Sequence, residues 1–194
     1  MSTSPNQVSG IRDFYNAAVS QQFLRDFNFR LTNVTTTALT LSQEDEIVYA
    51  IAKKLPGRNI TDQTQKFMGM DIHYGGSVTY PGSGDYQLSF FMSANGKMRE
   101  KLERASRIIF NDLTSTGDYR VPGSDQRMTL ALIDPNLQVM KSYTLVGVQF
   151  RNIGDLNMDY LDGNGKLVTC DCTLAYQWYE CSDGSDKLTA GQTL

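Results

Sequence analysis

From Val168 to Trp178 every second residue is apolar: Val168, Cys170, Cys172, Leu174, Tyr176 and Trp178 share one parity, while Thr169, Asp171, Thr173, Ala175 and Gln177 occupy the other. Successive side chains of an extended strand point to opposite sides of a sheet, so this run reads as one strand that keeps a single face on a core. A one-faced strand needs sheet partners beside it and a second layer over its apolar side. Other stretches repeat the pattern. Phe27, Phe29 and Leu31 alternate with Asn28, Arg30 and Thr32. Met68, Met70, Ile72 and Tyr74 alternate, as do Tyr86, Leu88, Phe90 and Met92, with Gly75, Gly76, Pro81, Gly82, Ser83 and Gly84 as turn residues around and between them, and these two runs read as a pair of strands. Residues 128–133 and 137–150 flank Asp134, Pro135 and Asn136, a turn signal that makes them a hairpin.

Two segments have helical spacing instead. In residues 8–24, Ile11, Phe14, Tyr15, Ala18 and Val19 form one apolar stripe, with Ser9 as N-cap. After Asn95 and Gly96, the residues Met98, Leu102, Ala105, Ile108 and Ile109 recur at helical spacing while Lys97, Arg99, Glu100, Lys101, Glu103 and Arg104 fill the outer face. Residues 42–66 fit neither period and read as an extended hairpin or arm. Its apolar patch (Ile47, Val48, Tyr49, Ile51) lies between acidic Glu44, Asp45 and Glu46 and basic Lys53, Lys54 and Arg58. The expected organisation is a single domain over residues 1–181 with an N-terminal helix, followed by a mobile tail over residues 182–194.

The chain offers little to a catalytic reading. Its only histidine, His73, sits in an alternating strand with no nucleophile motif beside it, and general acid–base work needs a positioned partner and a pocket. Cys170, Cys172 and Cys181 are an odd set without the paired spacing of a zinc site, so free thiols and no metal are expected. Asp159, Asp162, Asn164 and Gly165 lack the carboxylate spacing of a calcium loop and suit a turn. Gly75, Gly76, Gly82 and Gly84 match no phosphate-binding motif, so no cofactor is expected. A formal charge of −3 argues against a protein that grips nucleic acid through its phosphates. The first ten residues carry no apolar segment, and no stretch is long enough to span a bilayer, so no membrane partner is expected.

The order of these elements, together with the closing segment, resembles the tail tube proteins of T4-like contractile-tailed bacteriophages. The resemblance rests on Val146-Gly147-Val148-Gln149-Phe150-Arg151-Asn152-Ile153-Gly154-Asp155-Leu156, continuing to Tyr160, then on Asp162 to Gly165, and on Thr173-Leu174-Ala175-Tyr176. In that family a strand ends in an N-x-G-x-L segment, a turn follows, and an alternating strand with T-L-A and aromatics closes the domain. This covers about the last third of the chain; Leu55-Pro56-Gly57-Arg58 and the helix after Asn95 add looser support.

The resemblance implies a mainly β (α+β) fold, two packed antiparallel sheets forming a sandwich or partly rolled barrel, with one flanking helix beside the extra N-terminal one. It implies a non-enzymatic virion protein, assembled in the host cytoplasm, with six copies per ring and rings stacked as the inner tube of a contractile tail. Sheath, baseplate and tape measure proteins would be its partners, and DNA would pass the lumen without tight binding. Within that frame the arm residues Glu46, Ile47, Val48, Tyr49, Ile51, Lys53, Lys54 and Arg58 are the expected contacts between rings. The longer N-terminal helix, arm and tail depart from the family pattern and leave a tube initiator or terminator as an alternative. Two other classes stay open: a small β-sandwich binding module with Tyr74, Tyr80 and Tyr86 as an aromatic platform, and an enzyme built on His73 in a deep pocket.

Overall fold

The computed structural model describes residues 10–20, 28–36, 39–41, 50–117, 120–134, 136, 138–156, 158, 165–183 and 186–188. In chain order the elements are α1 (Ile11–Ser20), β1 (Phe29–Thr35), β2 (Thr40–Leu41), β3 (Ala50–Ala52), β4 (Asn59–Phe67), β5 (Met70–Thr79), β6 (Tyr86–Phe91) and α2 (Lys97–Ile109). There follow β7 (Phe110–Asn111), β8 (Thr116–Gly117), β9 (Arg127–Ile133), β10 (Val139–Val146), β11 (Gln149–Ile153), β12 (Thr169–Ala175), β13 (Trp178–Asp183) and β14 (Asp186–Leu188). A six-stranded antiparallel sheet runs β14-β13-β10-β9-β1-β2, and a four-stranded one runs β11-β12-β6-β3.

One creased antiparallel ribbon joins the two sheets. Val146 pairs with Trp178 in the larger sheet, and Gln149 pairs with Ala175 in the smaller. Between them Gly147 adopts φ 68°, a left-handed conformation that glycine reaches without a Cβ clash, and a Cβ there would lie 2.6 Å from Gln177 Cγ. The bend is held by Gly147 and Val148 amides donating to the Gln126 carbonyl (2.9 and 3.2 Å), and by the Gln177 amide donating to Val146 O (2.9 Å). The long alternating run at 168–178 is therefore two strands, not one. Its apolar parity survives to Tyr176, which is 3% exposed, because the chain passes from one sheet to the other without leaving the core.

The core lies between the sheets. Leu31, Val34, Met128, Leu130 and Leu145 enter it from the larger sheet, and Tyr86, Leu88, Phe90, Phe150, Cys170, Cys172 and Leu174 from the smaller. The result is a sandwich with a flanking helix, the first of the two forms that the resemblance implies, mainly β and not closed into a barrel. Helix α2 adds Met98, Leu102 and Ala105 to the same core. Its first turn is satisfied by Asn95 Oδ1, which accepts from the Lys97 amide (3.1 Å), and by Ser93 Oγ, which accepts from the Met98 amide (3.4 Å).

Arg99 ties α2 to the smaller sheet: it donates to Glu103 Oε1 (2.7 Å), to the Gly154 carbonyl (2.6 Å) and to Cys170 Sγ (3.3 Å). Gly154 in turn donates its amide to Asp171 O (2.7 Å). The glycine of the N-x-G-x-L segment is thus the point where helix, β11 and β12 converge.

The pairing of Met68–Tyr74 differs from the reading by alternation. Strand β5 pairs with β4, through a turn in which Met68 (φ 49°) and Gly69 (φ 82°) both have positive φ, as a two-residue primed hairpin turn requires. Strand β6 pairs instead with β12 and β3. Pairing also continues past residue 181: β13 runs to Asp183 and β14 adds one more strand, whereas residues 184–185 and 189–194 lie outside the described residues.

Tyr176 carries the described buried side-chain hydroxyl that has no hydrogen-bond partner. A buried unpaired hydroxyl costs about 1–3 kcal/mol. Tyr176→Phe is expected to hold or raise stability by up to about 1 kcal/mol in urea unfolding; a loss of similar size would mean that the hydroxyl is paired.

Candidate self-assembly surface

Strands β4 and β5 are exposed along their whole length, on both faces. The register puts side chains of paired residues on the same side. Phe67 with Met70, Gln65 with Ile72, and Gln63 with Tyr74 form one side; Lys66 with Asp71, Thr64 with His73, and Asp62 with Gly75 form the other. Phe67, Met70, Ile72 and Tyr74 are 47–67% exposed and uncharged, whereas the second side is polar toward the turn and carries the exposed pair Ile60 and Val78 near its root. An isolated two-stranded hairpin is marginal in water. This hairpin therefore presents an apolar face that calls for a cover.

The shift of Gly76 out of the pairing, between the partners of Thr61 and Asp62, is a β-bulge that keeps the two sides consistent. A Cβ at Gly76 would fall 2.4 Å from Gln63 Cγ, so glycine is the residue that fits. Gly82 serves a turn as expected, with φ 75° and its carbonyl accepting from the Asp85 amide (3.2 Å).

The arm residues separate in the structure. Glu46, Ile47, Val48 and Tyr49 lie outside the described residues. Ile51 is in β3, 40% exposed, at an edge of the four-stranded sheet. Lys53 pairs with Asp171 at 3.0 Å, and Asp171, which also accepts from Ser89 Oγ, is held below the usual carboxylate range first by that hydroxyl and then by the lysine. Lys54 donates to the Asp85 carbonyl (3.3 Å) and lies over the Tyr86 ring, while Tyr86 Oη donates to the Lys54 carbonyl. Arg58 stands at the hairpin root, near the Tyr179 phenol. Ile51, Lys53 and Lys54 thus belong to the sheet and its edge, and the projecting element is the hairpin of residues 59–79. Alternation could not find β4, because its residues (NITDQTQKF) have no buried side to mark with apolar side chains.

The other candidate groups disperse. His73 is on the exposed hairpin, where Nδ1 is 3.2 Å from Thr64 Oγ1. A cavity of about 350 Å³ opens elsewhere, beside α2, lined in part by Ala105, Ile109, Val121, Pro122 and Phe150. The aromatic platform does not form. Tyr86 is core, with its phenol pushed up first by burial and then by Tyr176; Tyr80 packs edge-on against Tyr179 at 5.5 Å; Tyr74 is on the hairpin. Asp159, Asp162 and Asn164 lie outside the described residues.

Cys170 and Cys172 face the core with their sulfurs 4.0 Å apart, and Cys170 donates to the Gly154 carbonyl (3.3 Å). Burial, more than the neighbouring thiol, pushes the Cys172 thiol up, so it stays protonated. Among the described residues no group of three or more His, Cys, Asp or Glu side chains could hold a metal ion, and no helix is long and apolar enough to cross a membrane. Replacing Cys170 and Cys172 together with Val is expected to cost under about 1.5 kcal/mol, as a near volume-conserving core change, and purified protein should contain no stoichiometric zinc. A zinc atom per chain by elemental analysis would contradict this.

No protein-family profile and no curated protein matches the sequence. Solved structures do match the fold. A chain of the anti-feeding prophage baseplate, solved with six-fold symmetry, aligns with a TM-score of 0.55 and 12% identity over 85% of this chain and 99% of that one. A chain of the sheath–tube complex of an extracellular contractile injection system, in its extended state, aligns with a TM-score of 0.50 and 7% identity over 94% and 99%. A chain of the tube-terminating cap of the anti-feeding prophage aligns with a TM-score of 0.50 and 9% identity over 94% and 99%. The chain has a tail-tube-like fold.

Proposed function

We propose that this chain, with its tail-tube-like fold, is a structural subunit that assembles into hexameric rings and that the rings stack into the inner tube of a contractile tail. The observation that carries the reading is a hairpin exposed along its whole length, with one apolar face, on a body whose fold matches components of contractile particles nearly end to end. Such a hairpin is an aggregation hazard in a monomer and an assembly element when a neighbour covers it. Among the described residues β3 and β11 are the edge strands of the smaller sheet and offer further pairing sites of the same kind. The protein acts by forming a wall and carries out no catalysis. DNA is the proposed cargo of the lumen, which a chain of net charge −3 would pass without the tight hold that clustered cations give. Sheath, baseplate and tape measure proteins are its proposed partners, and the virion tail its proposed location.

The likeness to a tube-terminating cap supports a second reading, in which the chain ends the tube instead of repeating along it. Electron microscopy of purified protein at rising concentration separates the two: a tube subunit grows into stacks of increasing length, and a terminator stops at one ring.

A further inference from the structure

We infer that helix α1 of one copy packs its apolar stripe on the apolar face of the β4–β5 hairpin of a second copy. This contact rests on the reading that the chain self-assembles, and it names what the hairpin meets. In α1, Ile11, Phe14, Tyr15 and Val19 are 66–90% exposed. They follow the i, i+3, i+4, i+8 pattern of one helical face, while exposed Arg12, Asp13 and Asn16 lie off it. A helix of this length is not stable alone in water, so the stripe requires a surface. The hairpin requires a cover for the same reason, and packing against a helix is one of the ways a two-stranded sheet is stabilised.

The two faces match in size and chemistry. Ten residues of helix are about 15 Å long. The apolar face of the hairpin runs from Phe67 and Met70 at the turn to Tyr74, roughly 13–17 Å at strand spacing. Neither face carries a charge, so burying one against the other strands no ion. The cavity beside α2 is lined by Arg120, Asp125, Gln126 and Gln149 as well as by apolar side chains, so it does not offer a continuous apolar face to such a stripe.

Both faces are exposed within a single copy, so the chain bears two different, complementary surfaces. Where each copy offers its helix to one neighbour and its hairpin to the next, the contact is heterologous and propagates as a ring or a stack, as the proposed tube requires. A reciprocal exchange between two copies would close a two-fold dimer instead, and sedimentation velocity tells the two apart.

The test uses full-length protein with Cys181→Ser, prepared as two differently tagged pools, one carrying Tyr15→Cys and the other Ile72→Cys. Mixed and assembled under mild oxidation, they should give disulfide-linked heterodimers at least tenfold above a pool with Val139→Cys in place of Ile72→Cys. Phe14→Ser with Tyr15→Ser should block assembly as fully as Ser substitutions on the hairpin face, with an unchanged melting temperature, and combining the two sets should add no further defect. If the hairpin variant fails to assemble while the α1 variant assembles as the parent does, the contact is wrong and self-assembly through the hairpin stands. A doubly substituted chain that links only within itself would likewise overturn the contact between copies. If the parent protein never assembles, the underlying reading fails, and this contact with it.

Discussion

Replacing Phe67, Met70, Ile72 and Tyr74 together with Ser is expected to leave the body of the protein folded and to prevent its copies from assembling. These side chains contribute nothing to the buried core, which is built from the two sheets and α2, so the melting temperature should stay within about 2 °C of the parent. Their value lies in contact with a neighbour, where covering each large side chain gains roughly 1.5–3 kcal/mol before ordering costs. If only about 3 kcal/mol of that survives per contact, losing it raises the threshold concentration for assembly by roughly 100-fold. Sedimentation velocity across a concentration series reads the threshold directly. Assembly of the variant at the parent's threshold would remove the hairpin from the interface. The corresponding deletion of residues 46–54 is a poorer test, because it would break β3 and the Lys53–Asp171 pair as well as any contact between rings.

Gly154→Ala is expected to destabilise the chain by about 2–3 kcal/mol, a fall of roughly 5–10 °C in melting temperature for a protein of this size. A Cβ at this position would lie 2.5 Å from the Asp171 carbonyl oxygen, a backbone atom within a paired strand that cannot turn aside as a side chain could. Moving apart would stretch the Gly154–Asp171 hydrogen bond and shift the carbonyl that receives Arg99 and Cys170, so the seat of α2 on the smaller sheet is disturbed as well. Gly57→Ala is the control, since a Cβ there meets nothing within 4 Å. Equal melting temperatures for the two variants would mean that Gly154 has room to spare.

The parts of the fold visible in the sequence are those with one buried side. The parity of Cys170, Cys172 and Leu174, of Leu88 and Phe90, and the spacing of Met98, Leu102 and Ala105 all report burial, and burial writes itself as periodicity. Where a strand has no buried side, nothing marks it: β4 falls almost wholly within the arm read at residues 42–66. The run Met68–Tyr74 alternates as Tyr86–Met92 does, so the two read as partners although β5 pairs with β4 and β6 with β12 and β3. The crease at Gly147 and Tyr176 is hidden for the opposite reason, since the chain stays in the core on both sides of the bend. Tyr86 shows a further limit. Its parity with Leu88 and Phe90 places it inside, yet a tyrosine invites an exposed, ligand-binding role when taken alone. The proposed surface was legible only as an arm of mixed charge and apolarity. The arm's apolar residues Ile47, Val48 and Tyr49 lie outside the described residues, and the hairpin face at Phe67–Tyr74 emerges only from strand pairing, which local sequence does not mark.

The central claim is that copies of this chain build a tube, and negative-stain electron microscopy of the purified full-length protein, from micromolar to near-millimolar concentration at low and high salt, tests it most directly. The account predicts rings with six-fold symmetry that stack into hollow tubes as concentration rises, with salt having little effect on an apolar contact. A protein that stays a monodisperse monomer across the whole range would contradict it.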